Sequence, residues 1–129
     1  MSRRAVLADP PNTTPEEPTM SHVSAPGFVD VIRARQPEVG DAVARLFEAA
    51  FAPGELPLKI KLLIALAIDA AGRHPNGCLH IADMAREAGA TERELDETLA
   101  VIAALCGTGG LATASGVFPQ LRGAGFGGL

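Results

Sequence analysis

Residues 58–71 read Leu-Lys-Ile-Lys-Leu-Leu-Ile-Ala-Leu-Ala-Ile-Asp-Ala-Ala, and after Lys61 this stretch is apolar on nearly every side of a helix. No polar stripe is left to face water, so other chain must surround it. Its apolar core is far short of the roughly 20 residues that span a bilayer, and Lys61 and Asp69 interrupt it, so a central packed helix is expected, not a membrane span. The chain has 129 residues, enough for one domain with a core and too few for two. A short chain has little interior in which to hide such a helix, so a homo-oligomer is also expected.

The neighbouring segments repeat the helical period. Phe28, Val31 and Ile32 share a face in a short segment closed by Pro37. Val39, Val43, Leu46, Phe47 and Ala50 form the apolar stripe of a helix running from Pro37 to Ala52, which Pro53-Gly54 ends. Pro57 suits the first turn of the central helix, and Gly72 closes it. Arg73-His-Pro-Asn-Gly77 reads as a turn, followed by a helix from Cys78 to Ala88 that stops at Gly89. Thr91-Glu-Arg-Glu94 is a capping box, in which the Thr91 hydroxyl and the Glu94 carboxylate each accept from the other residue's amide. Leu95, Leu99, Ile102 and Cys106 continue as a buried stripe, Gly107-Thr-Gly-Gly110 interrupts it, and a last helix is expected over Leu111 to Phe118. No segment alternates as a strand would. The fold class is all-α, a bundle of about five to six helices.

Three regions are expected: an arm over residues 1–25, a helical domain over 26–121 and a Gly-rich tail over 122–129. The arm is rich in Pro, Thr, Ser and Glu and reads as disordered; Met20 within it is an alternative start. Arg3-Arg4 is not followed by an apolar run, since Asp9 and Pro10 end it, so no secretory signal is read and a cytoplasmic location is expected.

Composition excludes several functions. The net charge is −4, with no basic excess to neutralise phosphates, and there is no Trp or Tyr to stack on bases, so no nucleic-acid partner is expected. Two cysteines suit neither a disulfide scaffold nor a four-cysteine zinc site. His74, Cys78 and His80 cluster, but at no standard zinc spacing, and no metal or other cofactor is expected. Gly107–Gly110 lacks the lysine and the preceding strand of a phosphate loop.

The order of these pieces resembles the carboxymuconolactone decarboxylase family, which includes the alkylhydroperoxidase D-like proteins. The resemblance runs from Phe28 to Phe118. It is carried by Leu63-Ile-Ala-Leu-Ala-Ile-Asp69, then Ala85-Arg-Glu-Ala-Gly-Ala-Thr91, then the capped helix Glu92-Arg-Glu-Leu-Asp-Glu-Thr-Leu-Ala100. It implies an all-helical fold assembled as trimers or hexamers, with a site between the central helix and the next. Redox members of that family carry a Glu, a Cys-x-x-Cys and a His three residues beyond. Aligned on Ala-Gly-Ala-Thr, this chain has Leu62 at the Glu position, His74 and Gly77 at the two Cys positions and Ile81 at the His position. Cys78 and His80 fall one residue away.

Four residues are therefore candidates for catalysis on a small-molecule substrate. His80 is a candidate acid–base group, because imidazole titrates near neutral pH; a helix-terminal histidine bonding locally is the alternative. Cys78 at a helix start is a candidate nucleophile, or else a buried structural thiol. Asp69, a carboxylate at the end of an apolar helix, needs a partner: His74 or Arg73, as an acid–base pair or as a structural tie of the turn. His22 lies in the arm. Three functions follow: a non-redox enzyme acting on a small organic acid or lactone through His80, a thiol peroxidase or disulfide reductase using Cys78, and a non-catalytic oligomeric binding protein.

Overall fold

The structure, a computed structural model, describes residues 23–119. The C-terminal tail and all of the arm before Val23 lie outside the described residues. Five helices follow one another: α1 (Gly27–Arg35), α2 (Pro37–Phe51), α3 (Leu58–Ala71), α4 (Pro75–Glu87) and α5 (Glu92–Ala114), with a 3₁₀ turn at Ser115–Val117. The described residues contain no strand, and the fold is all-α.

α3 is the centre, packed against both α4 and α5. Leu66 and Ala70 from α3, Cys78 and Ala82 from α4, and Leu95, Leu99 and Ile102 from α5 meet in one core, which Ala114 and Val117 close. A second cluster joins Leu62 to Ala85, Ala88 and Ala90. Val23 is buried in that cluster, so residue 23 of the expected arm packs on the domain. α3 is not covered all round, however: Ile64 and Ile68 stay largely exposed.

α1 and α2 form a hairpin whose closeness depends on Gly40. A Cβ there would run into the Arg33 backbone, so only glycine lets the two helices approach this far. Arg33 then reaches Asp41 at 2.7 Å and Asp30 at 3.1 Å. The hairpin is tied to α3 by Lys61, whose Nζ donates to the Ala50 and Ala52 carbonyls at 3.0 and 2.6 Å. These carbonyls end α2 and have no partner within the helix, so the ammonium satisfies them and complements the helix dipole.

Two boundaries differ from expectation. α4 starts at Pro75, three residues before Cys78, because Pro75 takes the first helical position, where its missing N–H costs nothing. α3 ends at Ala71 with Gly72 as its cap, as expected, in a Schellman motif whose left-handed residue is Arg73 (φ 62°): the Arg73 amide donates to Ala70 and the His74 amide to Asp69. The glycine run interrupts α5 as expected: Gly107 leaves helical geometry (φ 67°, ψ −168°) between two helical stretches, the second of which ends at Ala114, short of the expected Phe118. The Thr91–Glu94 capping box is present with both of its bonds at 3.1 Å.

The stretch Glu92–Val117 is long and apolar enough to cross a membrane by length and composition alone. Its inner face, with Leu95, Leu99 and Ile102, is committed to the core, whereas Val101, Leu105 and Leu111 are left exposed. Arg86 anchors the start of α5 to α4: it bonds Asp83 at 2.9 Å, Glu92 at 2.7 Å and the Val117 carbonyl at 2.8 Å. The guanidinium holds the Glu92 carboxyl below its ordinary range.

Candidate functional site

The hairpin and the α3–α4 pair stand apart around a cleft of about 1310 Å³. Phe28, Phe47 and Phe51 come from the hairpin, with the last two rings stacked at 6.4 Å between centroids. Leu62, Ala65, Ile68 and Asp69 come from one face of α3, at spacings of three and four residues. α4 supplies a polar stripe at the same period, Asn76, His80, Asp83 and Glu87, with Gly77, Ile81 and Met84 beside it, and His74 enters from the turn. A large apolar hollow with a few convergent polar groups is the usual form of a small-molecule site.

Asp69 and His74 are set by the backbone before their side chains meet. They occupy the two ends of the longer Schellman bond, in which the His74 amide donates to the Asp69 carbonyl at 2.9 Å. Their side chains then approach with Nδ1 and Oδ1 3.5 Å apart, at the outer reach of a hydrogen bond. The Asp69 carboxylate is three-quarters buried. It sits over Gly77, where a Cβ would collide with it. Arg73, the other expected partner of Asp69, lies instead across Gly109 of α5.

That seat gives a sign-dependent prediction. Gly77 is in the first turn of α4, where alanine would ordinarily gain about 0.5–1 kcal/mol of helix stability. In an Asp69→Ala background, Gly77→Ala should show that gain by urea unfolding. With Asp69 present the gain should vanish or reverse, a coupling of about 0.5–3 kcal/mol. Equal effects in both backgrounds would mean that the carboxylate does not occupy the glycine's space.

Cys78 is on the other side of α4. Cys78, Ala82 and Ala85 form the helix's core stripe, and Cys78 is fully buried with its Sγ 3.9 Å from the Leu66 carbonyl. It does not line the cleft. Burial, reinforced by the negative charge of Asp69, raises its thiol from 9.0 to about 11. The folded state thus favours the neutral thiol. The stability this contributes is complete below about pH 9 and is lost as pH rises through about 11. Nucleophilic attack needs a thiolate that substrate can reach, and Cys78 is neither ionised nor accessible near neutral pH. Cys106 is free as well and partly exposed. At pH 8, iodoacetamide should label Cys106 at least about a hundredfold faster than Cys78, which should react only after unfolding; mass-mapped alkylation checks this.

Of the four expected residues, then, His80, His74 and Asp69 share the cleft and Cys78 does not. Asn76, Asp83 and Glu87 also line it and were not anticipated. Their signal is the polar spacing 76, 80, 83, 87, which becomes visible once the helix is started at Pro75. Asp83 is held by Arg86 at 2.9 Å.

The family model for carboxymuconolactone decarboxylases matches residues 37–118, from the start of α2 to just past the 3₁₀ turn. The fold is similar to a crystal structure from Burkholderia xenovorans LB400 named as a candidate carboxymuconolactone decarboxylase. That likeness has a TM-score of 0.61 and 24% identity, over 79% of this chain and 86% of the other. No curated protein matches the chain. With most of its helical domain matched in family order, the chain belongs to the carboxymuconolactone decarboxylase family.

Proposed function

We propose that the protein is a non-redox enzyme of the decarboxylase or lactone-processing type, acting on a small organic acid or lactone by histidine acid–base catalysis. The observation that supports this is the meeting of His80, His74 and Asp69 in one largely apolar cleft. A neutral imidazole at His80 would take a proton from water or from the carbon beside a substrate carbonyl and return it to the leaving oxygen or the new carbanion. When His74 carries its proton on Nδ1, it donates to Asp69 and keeps Nε2 as an acceptor, so this pair would orient substrate and stabilise charge that forms during the proton transfer.

The test is turnover of a panel of lactones, β-keto acids and peroxides by the wild type and by His80→Ala. Loss of lactone or keto-acid turnover in the variant supports the reading. Peroxide reduction that depends on Cys78 would overturn it, and ligand binding without any turnover would favour the non-catalytic binder.

A homo-oligomer is part of this proposal. Leu105 is 83% exposed, and with Val101, Leu111 and Ile64 it leaves apolar surface on α5 and α3. Large apolar side chains left in solvent suit an association face. Sedimentation should find a multimer for the wild type and a smaller species for Leu105→Asp; a wild-type monomer would contradict it.

A further inference from the structure

The turn between α3 and α4 departs from local preference twice. A Schellman motif usually carries glycine at its left-handed position, because a Cβ is unfavourable there. Here that position is Arg73, and the glycine stands one residue earlier. Gly72 has a negative φ (−76°), which other residues adopt, so its backbone does not call for glycine. Space accounts for both departures. A Cβ at Gly72 would stand 3.0 Å from Cε1 and 3.2 Å from Nδ1 of His74, so the imidazole sits where a side chain would be. The Arg73 guanidinium lies against Gly109 of α5, so closely that a Cβ there would overlap Cζ and both of its outer nitrogens.

We infer that Arg73 is a positioning residue: its side chain, seated on Gly109, holds the left-handed turn that sets His74 opposite Asp69. A disfavoured backbone conformation persists only where its surroundings hold it, and such residues gather at functional sites. The seat on α5 is that hold, and it gives part of the glycine run a use. From Arg73 the chain passes directly to His74, whose amide donates to the Asp69 carbonyl and whose Nδ1 lies 3.5 Å from Oδ1. That distance leaves no slack, since further separation ends the hydrogen bond. Arg73 itself does not line the cleft, so it acts through His74. The inference deepens the acid–base reading above, in which the pair orients substrate, and it is read out without turnover.

The experiment is the tautomer of neutral His74, taken from its ring nitrogens in a long-range nitrogen–proton spectrum and assigned with His74→Gln. In the wild type Asp69 should draw the proton to Nδ1, and Asp69→Ala should release it. Gly109→Ala leaves the turn's own residues intact and removes the seat. Arg73→Gly removes the side chain and gives the left-handed position its preferred residue. Both should lower the Nδ1–H share to that of Asp69→Ala. Urea midpoints should stay at or above wild type, because alanine suits a helix and glycine suits the turn. On a turned-over lactone, kcat should fall by up to about 10²-fold, the cost of a small misplacement, with KM nearly unchanged. A wild-type tautomer in either variant, or in Asp69→Ala, overturns the inference. Loss of the Nδ1–H form with turnover unchanged upholds the anchoring by Arg73 and removes the His74–Asp69 pair from the acid–base reading.

Discussion

His80→Ala should lower kcat/KM on a turned-over lactone by about 10²- to 10⁴-fold, the range for removing a positioned acid–base group. The loss should fall mainly on kcat, because the imidazole acts on the proton in flight and contributes little to holding the ground state. Stability should change little. His80 is exposed on the cleft side of α4, makes no part of either core cluster, and alanine is a better helix residue. A circular dichroism melt close to wild type, together with the collapse in kcat, would place the effect in chemistry. His74→Ala should be milder in kcat and should change the pH profile, since it removes the partner of Asp69 and not the principal base.

Leu66→Ala has the largest expected effect on the fold. Leu66 is fully buried at the junction of α3, α4 and α5. Truncation leaves a cavity among Cys78, Leu95 and Ile102 that three helices cannot all close, and such changes cost about 2–5 kcal/mol. For a domain of this size that is a large part of total stability. The loss should also reach the site, since the same helix carries Asp69 less than one turn beyond. Denaturant midpoints at fixed protein concentration check the value, because any oligomer makes stability depend on concentration.

An element is legible in the sequence to the extent that its signal is local. The start of α5 was legible because a capping box is complete within four residues. The start of α4 is obscured because His-Pro-Asn-Gly is a turn by composition and a helix start by the position of its proline. That three-residue difference hides the phase of the helix. With α4 begun at Pro75, one residue decides which way a side chain faces: Gly77 and Ile81 look to the cleft, while Cys78 and Ala82 look to the core. The thiol was therefore a reasonable candidate by spacing and a core residue by rotation. Gly72 ends α3 as its place in the sequence suggests, while the left-handed position one residue further on is Arg73, which composition disfavours and which only the paired bonds of the motif reveal. Asp69 reads as a carboxylate needing a partner, and of His74 and Arg73 the geometry selects His74. The aromatic wall was not legible at all. Phe47 was expected to pack in its helix's apolar stripe, and its place in the cleft depends on how the hairpin stands against α3, a tertiary outcome set through Gly40, Lys61 and Phe51.

The central claim is that His80, His74 and Asp69 form one ligand site. The chain has only three histidines, so their imidazole Cε1–Hε1 signals can be assigned in a carbon–proton correlation spectrum with His80→Gln and His74→Gln. On titration with δ-nonalactone, the His80 and His74 signals should shift together and saturate at the same ligand concentration. A ligand that binds while both signals stay fixed would contradict the claim.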